Sequence, residues 1–185
     1  MAHPFIKDAE SRMKKAVESI REELAKIRTG KASTALLDSV RVNYYGALVP
    51  LKQVANLNTP EPRLITIQPW EKKLVGEIEK AILKADIGLN PQNDGSLIRI
   101  PIPQLTDERR QDLTRLCRKL AEEGRVAIRN VRRDALEHLK KAKKDGEIPE
   151  DEEKAYEKEL QKLTDKHIAL VDEILKHKEA EIMEV

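Results

Sequence analysis

Four arginines, Arg125, Arg129, Arg132 and Arg133, fall within nine residues of the stretch RVAIRNVRRDAL. The guanidinium is a planar, permanently charged fork that matches carboxylates and phosphates. Like charges spaced i,i+4 on one helix repel each other. This spacing therefore calls either for an acidic neighbour that neutralises the arginines or for a negatively charged ligand that binds them.

No other constellation points to catalysis. GKAS, residues 30–33, has the look of a phosphate loop. That motif needs a glycine five residues before Gly30 and a Ser or Thr after Lys31, but Ala25 and Ala32 stand there. His3, His138, His167 and His177 form no metal-ligand spacing, and His167 reads as a packed core residue. No nucleophile elbow and no dinucleotide fingerprint occurs, so an enzyme, a resident cofactor and a metal are not expected.

Composition narrows the class. The 185 residues are 37% charged and only 3% aromatic, which fits thin aliphatic cores such as those of helical bundles. The single cysteine, Cys117, excludes an internal disulfide and reads as a buried thiol in a reducing compartment. No segment has the length and apolarity of a signal peptide or a membrane span, so a cytoplasmic protein is expected. Charge is segregated: residues 104–146 hold 13 Lys/Arg against 8 Asp/Glu, and residues 147–185 hold 6 against 13. Pairing between these adjacent blocks has to be weighed.

Three long apolar stripes at helical period must position the arginines. The first runs through Phe5 or Ile6, Ala9, Met13, Val17, Ile20, Leu24 and Ile27, with Pro4 in its first turn and Gly30 as its stop. The second runs from Thr106 to about Asp145 through Leu113, Leu116, Leu120, Gly124, Ala127, Val131, Ala135, Leu139 and Ala142, and Gly146 breaks it. The third starts near Pro149, with Leu160, Leu163, His167, Val171, Ile174 and Ile182 facing inward. These predict a three-helix bundle built from residues 1–30 and 104–185.

Residues 31–103 hold seven of the nine prolines and four of the seven glycines. SVRVNYYG (39–46), RLITIQPW (63–70) and SLIRIPIP (96–103) read as strands, 71–86 as a helix and GLNPQNDG (88–95) as a turn. The fold class is α+β, a small α/β domain inserted between the first two helices of the bundle. Trp70, Tyr44 and Tyr45 are read as the insert's small core, with base stacking as the other role for the tyrosines. Residues 28–33 and 100–104 are the two linkers. Thr29, Gly30, Lys31 and Ala32 on one side and Pro101, Ile102, Pro103 and Gln104 on the other form the expected hinge, and a static junction fits the same residues.

On a helical wheel with Val131 at zero, the four arginines fall between about 100° and 200°, with Glu122 as the only acid in that sector along the stripe from Arg115 to Lys143. They are expected to point outward, with the acidic third helix reaching only their margins. A positive stripe without interleaved aromatics suits backbone and shape recognition of folded RNA rather than base reading. A solvated charged face is the other reading.

IRTGKAS, VNYYG, PLKQVANL, KAILKADIGLNPQNDGSLIRIPIPQLTDERR, VAIRNVRRDAL and LQKLTD together resemble the bacterial ribosome recycling factor family, over essentially the whole chain. The resemblance implies an L shape of transfer-RNA dimensions. It implies binding to large-subunit ribosomal RNA after termination, and subunit splitting with elongation factor G and GTP, which releases messenger and deacylated transfer RNA. It places the family's arginine motif on Arg129, Arg132 and Arg133, and its basic hinge-proximal motif on Arg28, Gly30 and Lys31. The expected partners are thus the ribosome and elongation factor G, with no membrane or DNA partner, and the chain is taken as a monomer. An unrelated helical RNA-binding protein would share the stripe without needing a hinge. An adaptor docked on an acidic protein would bind regardless of nuclease treatment.

Overall fold

The computed structural model describes residues 3–184, which form two compact units. One runs up to Arg28 and resumes at Asp107; the other is Thr29–Thr106. In chain order the elements are α1 (Pro4–Ala25), β1 (Arg41–Tyr44), β2 (Ala47–Pro50), β3 (Ala55–Glu61), β4 (Leu64–Pro69), α2 (Val75–Lys84), β5 (Gln92–Asn93), β6 (Ile98–Pro101), α3 (Asp107–Lys144) and α4 (Glu150–Met183). Among the described residues no helix is long and apolar enough to cross a membrane. None of their His, Cys, Asp and Glu form a group of three or more able to hold a metal.

In the first unit α1, α3 and α4 pack against one another. Pro4 opens α1, and His3 caps it by accepting a hydrogen bond from the Phe5 amide at 3.3 Å. The helix stops at Ala25, five residues before Gly30, although Gly30 was the expected stop. Leu24 is the last fully buried residue of the stripe, and beyond it further turns have no core to cover. Gly30 instead takes φ +78° in the linker. Between α3 and α4, Gly146 (φ +76°) ends α3 with the Glu147 amide bonded to the Ala142 carbonyl at 2.9 Å, a Schellman-type closure.

The buried face of α3 differs from the one its leucines predict. Leu113, Cys117, Ala121, Gly124, Ile128, Val131, Ala135, Leu139 and Ala142 face the core, while Leu116 and Ala127 are exposed and Leu120 is half-buried. The reason is close packing. A Cβ on Gly124 would lie 2.4 Å from Ile20 Cγ1, so α1 approaches α3 where its side chains are small. The centre of the buried face is thereby rotated by about 40° toward the arginines. On α4, Leu163 and Ile174 are half-buried and Thr164 joins the core, its hydroxyl bonded to the Leu160 carbonyl at 2.7 Å. His167 is buried as expected, with Nδ1 2.6 Å from the Leu163 carbonyl.

The second unit has a β1–β2 hairpin and a four-stranded antiparallel sheet in the order β3-β4-β6-β5. The central strands alternate with period two: Ile65 faces Ile100 and Ile67 faces Ile98, all four fully buried. α2 supplies Ile78 and Ile82 to the same core, joined by Val40, Val42 and Leu37. Strands β2, β3 and β5 are not apparent in the sequence. β3 reads ANLNTPE, polar and interrupted by Pro60, and it is stable only as an edge strand paired to β4 on one side.

The aromatic residues of this unit do not form its core. Tyr45 is 70% and Trp70 61% exposed, and only Tyr44 is half-buried. Aliphatic side chains already fill the sheet's inner face. Tyr45 (φ +50°) and Gly46 (φ +85°) make the two-residue hairpin turn. The Tyr44 and Tyr45 hydroxyls donate to the Glu71 carboxylate at 3.3 Å, and Lys73 bonds the Tyr45 hydroxyl.

Asp94 organises the β5–β6 turn. It accepts hydrogen bonds from the Leu97 amide at 2.8 Å, the Ser96 amide at 3.0 Å and Arg99 at 2.9 Å. These bonds, the Leu97 amide first, hold its carboxyl well below the usual carboxylate range. A group depressed in the folded state contributes stability above its unfolded value and loses it as pH falls toward the folded one. Asp94→Asn is therefore expected to melt earlier than wild type at neutral pH. The gap should close as pH drops below the ordinary carboxylate value, and thermal melts across that range check it.

Candidate nucleic-acid interface

The seam between α3 and α4 sorts the arginines. Both helices are long and antiparallel, so each step of seven residues up α3 meets a step of seven down α4. Arg118 donates to Glu179 at 2.7 Å, and seven residues on Arg125 pairs with Asp172 at 2.6 Å. The third step brings Arg132 level with Asp165. There the rung differs: Arg132 donates to the neutral Gln161 amide oxygen at 3.0 Å, and the Gln161 amide nitrogen donates to Asp165 at 2.9 Å.

Arg125 does not point outward as expected. Its side chain is 19% exposed and is held by Glu122 at 3.0 Å as well as by Asp172. With the buried face of α3 rotated, Arg125 lies about 80° from its centre and falls on the flank that α4 covers. Burial acts to lower its pKa, and the hydrogen bonds from Arg125 to Asp172 and Glu122 outweigh it and keep the guanidinium charged. Glu122 also accepts from Arg129 at 3.2 Å. The bonds from Arg125 first and Arg129 second hold the Glu122 carboxyl below its ordinary value. α4 therefore neutralises more of the stripe than a wheel centred on Val131 allows.

What remains for a ligand is concentrated in IRNVRRD. Arg129 is partly exposed and shares one carboxylate with Arg125. Arg132 is half-buried against a neutral amide. Arg133 is exposed on the face opposite the core, and no described residue pairs with it. Three guanidinium groups thus lie within five residues, each with donors left over for an anion such as a phosphate.

Truncating Arg125 should act on stability first. Arg125→Ala removes a clamp between α3 and α4 together with the half-buried aliphatic stem that carries it. The expected cost is about 1–2 kcal/mol, read as a melting temperature lower by roughly 2–8 °C.

Arg28 is not brought to this cluster. The Ile20–Gly124 contact puts the end of α1 roughly level with residue 119, about 20 Å along the axis from Arg132. Arg28 and Lys31 are both exposed and both have interactions of their own.

The linkers are partly absorbed into the second unit. The Ala32 amide donates to the Pro62 carbonyl at 2.7 Å, and the Ile102 amide donates to the Arg63 carbonyl at 2.8 Å. Ile102 is buried in that unit's core, and Pro101 is the last residue of β6, opposite Leu64. Ala32, Pro101 and Ile102 thus belong to the α/β unit rather than to a free linker. Thr29, Gly30 and Lys31 precede this anchor, and Pro103 and Gln104 follow it. Gly30 faces Leu105, the residue that follows the other linker: a Cβ there would lie 3.1 Å from Leu105 Cγ.

Gln161 and Asp172 carry no role in the sequence reading. The matched seven-residue spacing of 118, 125, 132 and 179, 172, 165 finds Asp172 once the two helices are placed antiparallel, whereas Gln161 lies off that series, one turn from Asp165.

Comparison with known proteins gives a consistent picture. A family model described as ribosome recycling factor matches residues 20–183. Ribosome-recycling factors of Bacillus cereus (strain G9842) and Bacillus anthracis (strain CDC 684 / NRRL 3495) are each 55% identical, over all of this chain and all of theirs. A solution structure of the ribosome recycling factor superposes with a TM-score of 0.77 at 46% identity, with full coverage of both chains. A chain in models for the T. thermophilus ribosome recycling factor and the E. coli elongation factor G bound to the E. coli post-termination complex covers 97% of each chain, with 48% identity and a TM-score of 0.62.

Proposed function

We propose, since the chain belongs to the ribosome recycling factor family, that it binds post-termination ribosomes and, with elongation factor G and GTP, splits their subunits. Messenger and deacylated transfer RNA leave as the subunits part. The chain works in the cytoplasm and makes no covalent intermediate; GTP is hydrolysed by its partner. The observation that carries the RNA-facing part is the sorting of the α3 arginines. Arg118 and Arg125 are tied to α4, whereas Arg129, Arg132 and Arg133 are left to lie along large-subunit RNA phosphates.

The linkers are the moving part of this reading. Elongation factor G pushes the α/β unit, and Thr29–Lys31 with Pro103–Gln104 absorb the displacement, so that contacts between the subunits break. Gly30 supports it with a backbone conformation that side chains rarely adopt. Gly30→Val should therefore bind large subunits as wild type does. It should slow splitting by about tenfold, the equivalent of roughly 1–2 kcal/mol of backbone strain.

Two assays test the whole reading. Wild type should pellet with purified large ribosomal subunits, and less so as salt rises, because phosphate contacts release counterions. Light scattering should report subunit splitting that needs elongation factor G and GTP. Binding that ignores salt, or splitting that proceeds equally without the chain, would overturn it.

A further inference from the structure

We propose that Gln161 is a positioning residue that keeps Arg132 out of an ion pair with Asp165 and so leaves its charge for an RNA phosphate. The inference rests on the RNA-facing role of α3 given above. The first two rungs of the seam are acid–arginine pairs, and the register delivers a third acid, Asp165, to Arg132. The pair does not form, because the Gln161 amide stands between the two groups.

Only one orientation of this amide satisfies both neighbours: its oxygen faces the guanidinium and its NH2 faces the carboxylate. The bridge has two consequences. A neutral acceptor takes one N–H of Arg132 and leaves the charge and the remaining donors uncompensated, where a carboxylate would take two and cancel the charge. The same amide holds Asp165, one turn away on α4, in a bond of its own. A phosphate approaching Arg132 then displaces a single neutral hydrogen bond rather than an ion pair. The bridge ties Arg132 to Gln161 and, through it, to Asp165 on α4, while Arg129 and Arg133 are its charged neighbours along α3. Losing the bridge therefore leaves Asp165 as the acid that the register of the seam sets opposite Arg132.

The experiment is pelleting with purified large ribosomal subunits over a range of salt, using wild type, Arg132→Ala, Gln161→Ala and Gln161→Ala/Asp165→Asn. Circular dichroism confirms that each is folded. Gln161→Ala should bind about tenfold more weakly, the size of one charge-assisted contact. Its plot of log affinity against log salt should be shallower by about one phosphate. Removing the competing acid in Gln161→Ala/Asp165→Asn should restore both affinity and slope, which a merely structural glutamine would not allow. Unchanged binding by Gln161→Ala, or a double variant that stays weak, overturns the role of Gln161. If Arg132→Ala itself binds like wild type, the RNA-facing reading fails, and this inference fails with it.

Discussion

Replacing Arg129, Arg132 and Arg133 together by alanine is expected to weaken binding to large ribosomal subunits on the order of a thousandfold at low salt, three charge-assisted contacts of about 1.5 kcal/mol each. The helix should not suffer. Alanine has the highest helix propensity, and the triple change removes like-charge neighbours at i,i+3 and i,i+4. None of the three supplies a clamp to α4 of the kind made by Arg118 and Arg125. The melting temperature should therefore stay level or rise, and the salt slope should fall by about three. Pelleting and thermal melts on the same samples check both. Near-normal binding, or a melting temperature lower by roughly ten degrees, would return these arginines to a solvated or structural role. Arg125→Ala supplies the contrast, with stability lost first.

The second large effect concerns Gly124. Gly124→Ala would ordinarily stabilise a helix interior by about 0.5–1 kcal/mol. Here the added Cβ meets Ile20 Cγ1 at 2.4 Å and Cδ1 at 2.9 Å. Ile20 is buried, and Cγ1 is not the free end of its side chain, so α1 must shift away from α3. Overpacking of this kind costs about 1–3 kcal/mol, and a larger side chain costs more. Gly124→Val should lower the melting temperature by about 10 °C or more. The cause is testable by coupling. Ile20→Ala opens the space that Gly124→Ala needs, so the double variant should be more stable than the two single losses predict. Strict additivity, or no loss in Gly124→Ala, would mean that the helices do not approach this closely.

Much of the architecture was legible in the residues. The periods through Ile6–Leu24 and Leu160–Ile182 belong to single helices, and a single helix shows which of its faces is apolar. Pro4, Gly146 and the acids after Pro149 mark ends through local backbone and dipole effects. Ile65, Ile67, Ile98 and Ile100 alternate as strands with one buried face must. His167 falls on the apolar face of its helix by the helical period, and Cys117 is read as buried from the general behaviour of a lone thiol rather than from its position. Strand β3 was missed because ANLNTPE has no strand period of its own, and its extended shape comes from pairing with β4. Tyr44 packs against the core, but Tyr45 and Trp70 lie outside it, because ring volume alone does not say which side of the chain a ring takes. Tyr45 stands at a turn whose backbone points it outward.

The candidate site divides along the same line. That Arg125, Arg129, Arg132 and Arg133 share one helix, beside an acidic segment, follows from the sequence. Which of them are spent on that segment does not. The answer depends on how far α3 is rotated about its axis, which Gly124 and Ile20 set by close packing. It depends also on the antiparallel register of α3 and α4, which sets Asp172 against Arg125 and Gln161 against Arg132. A helix period is a property of one chain segment and its contact with the core. A charge pairing is a property of two segments and their relative rotation and register, and those come into being only when the helices pack.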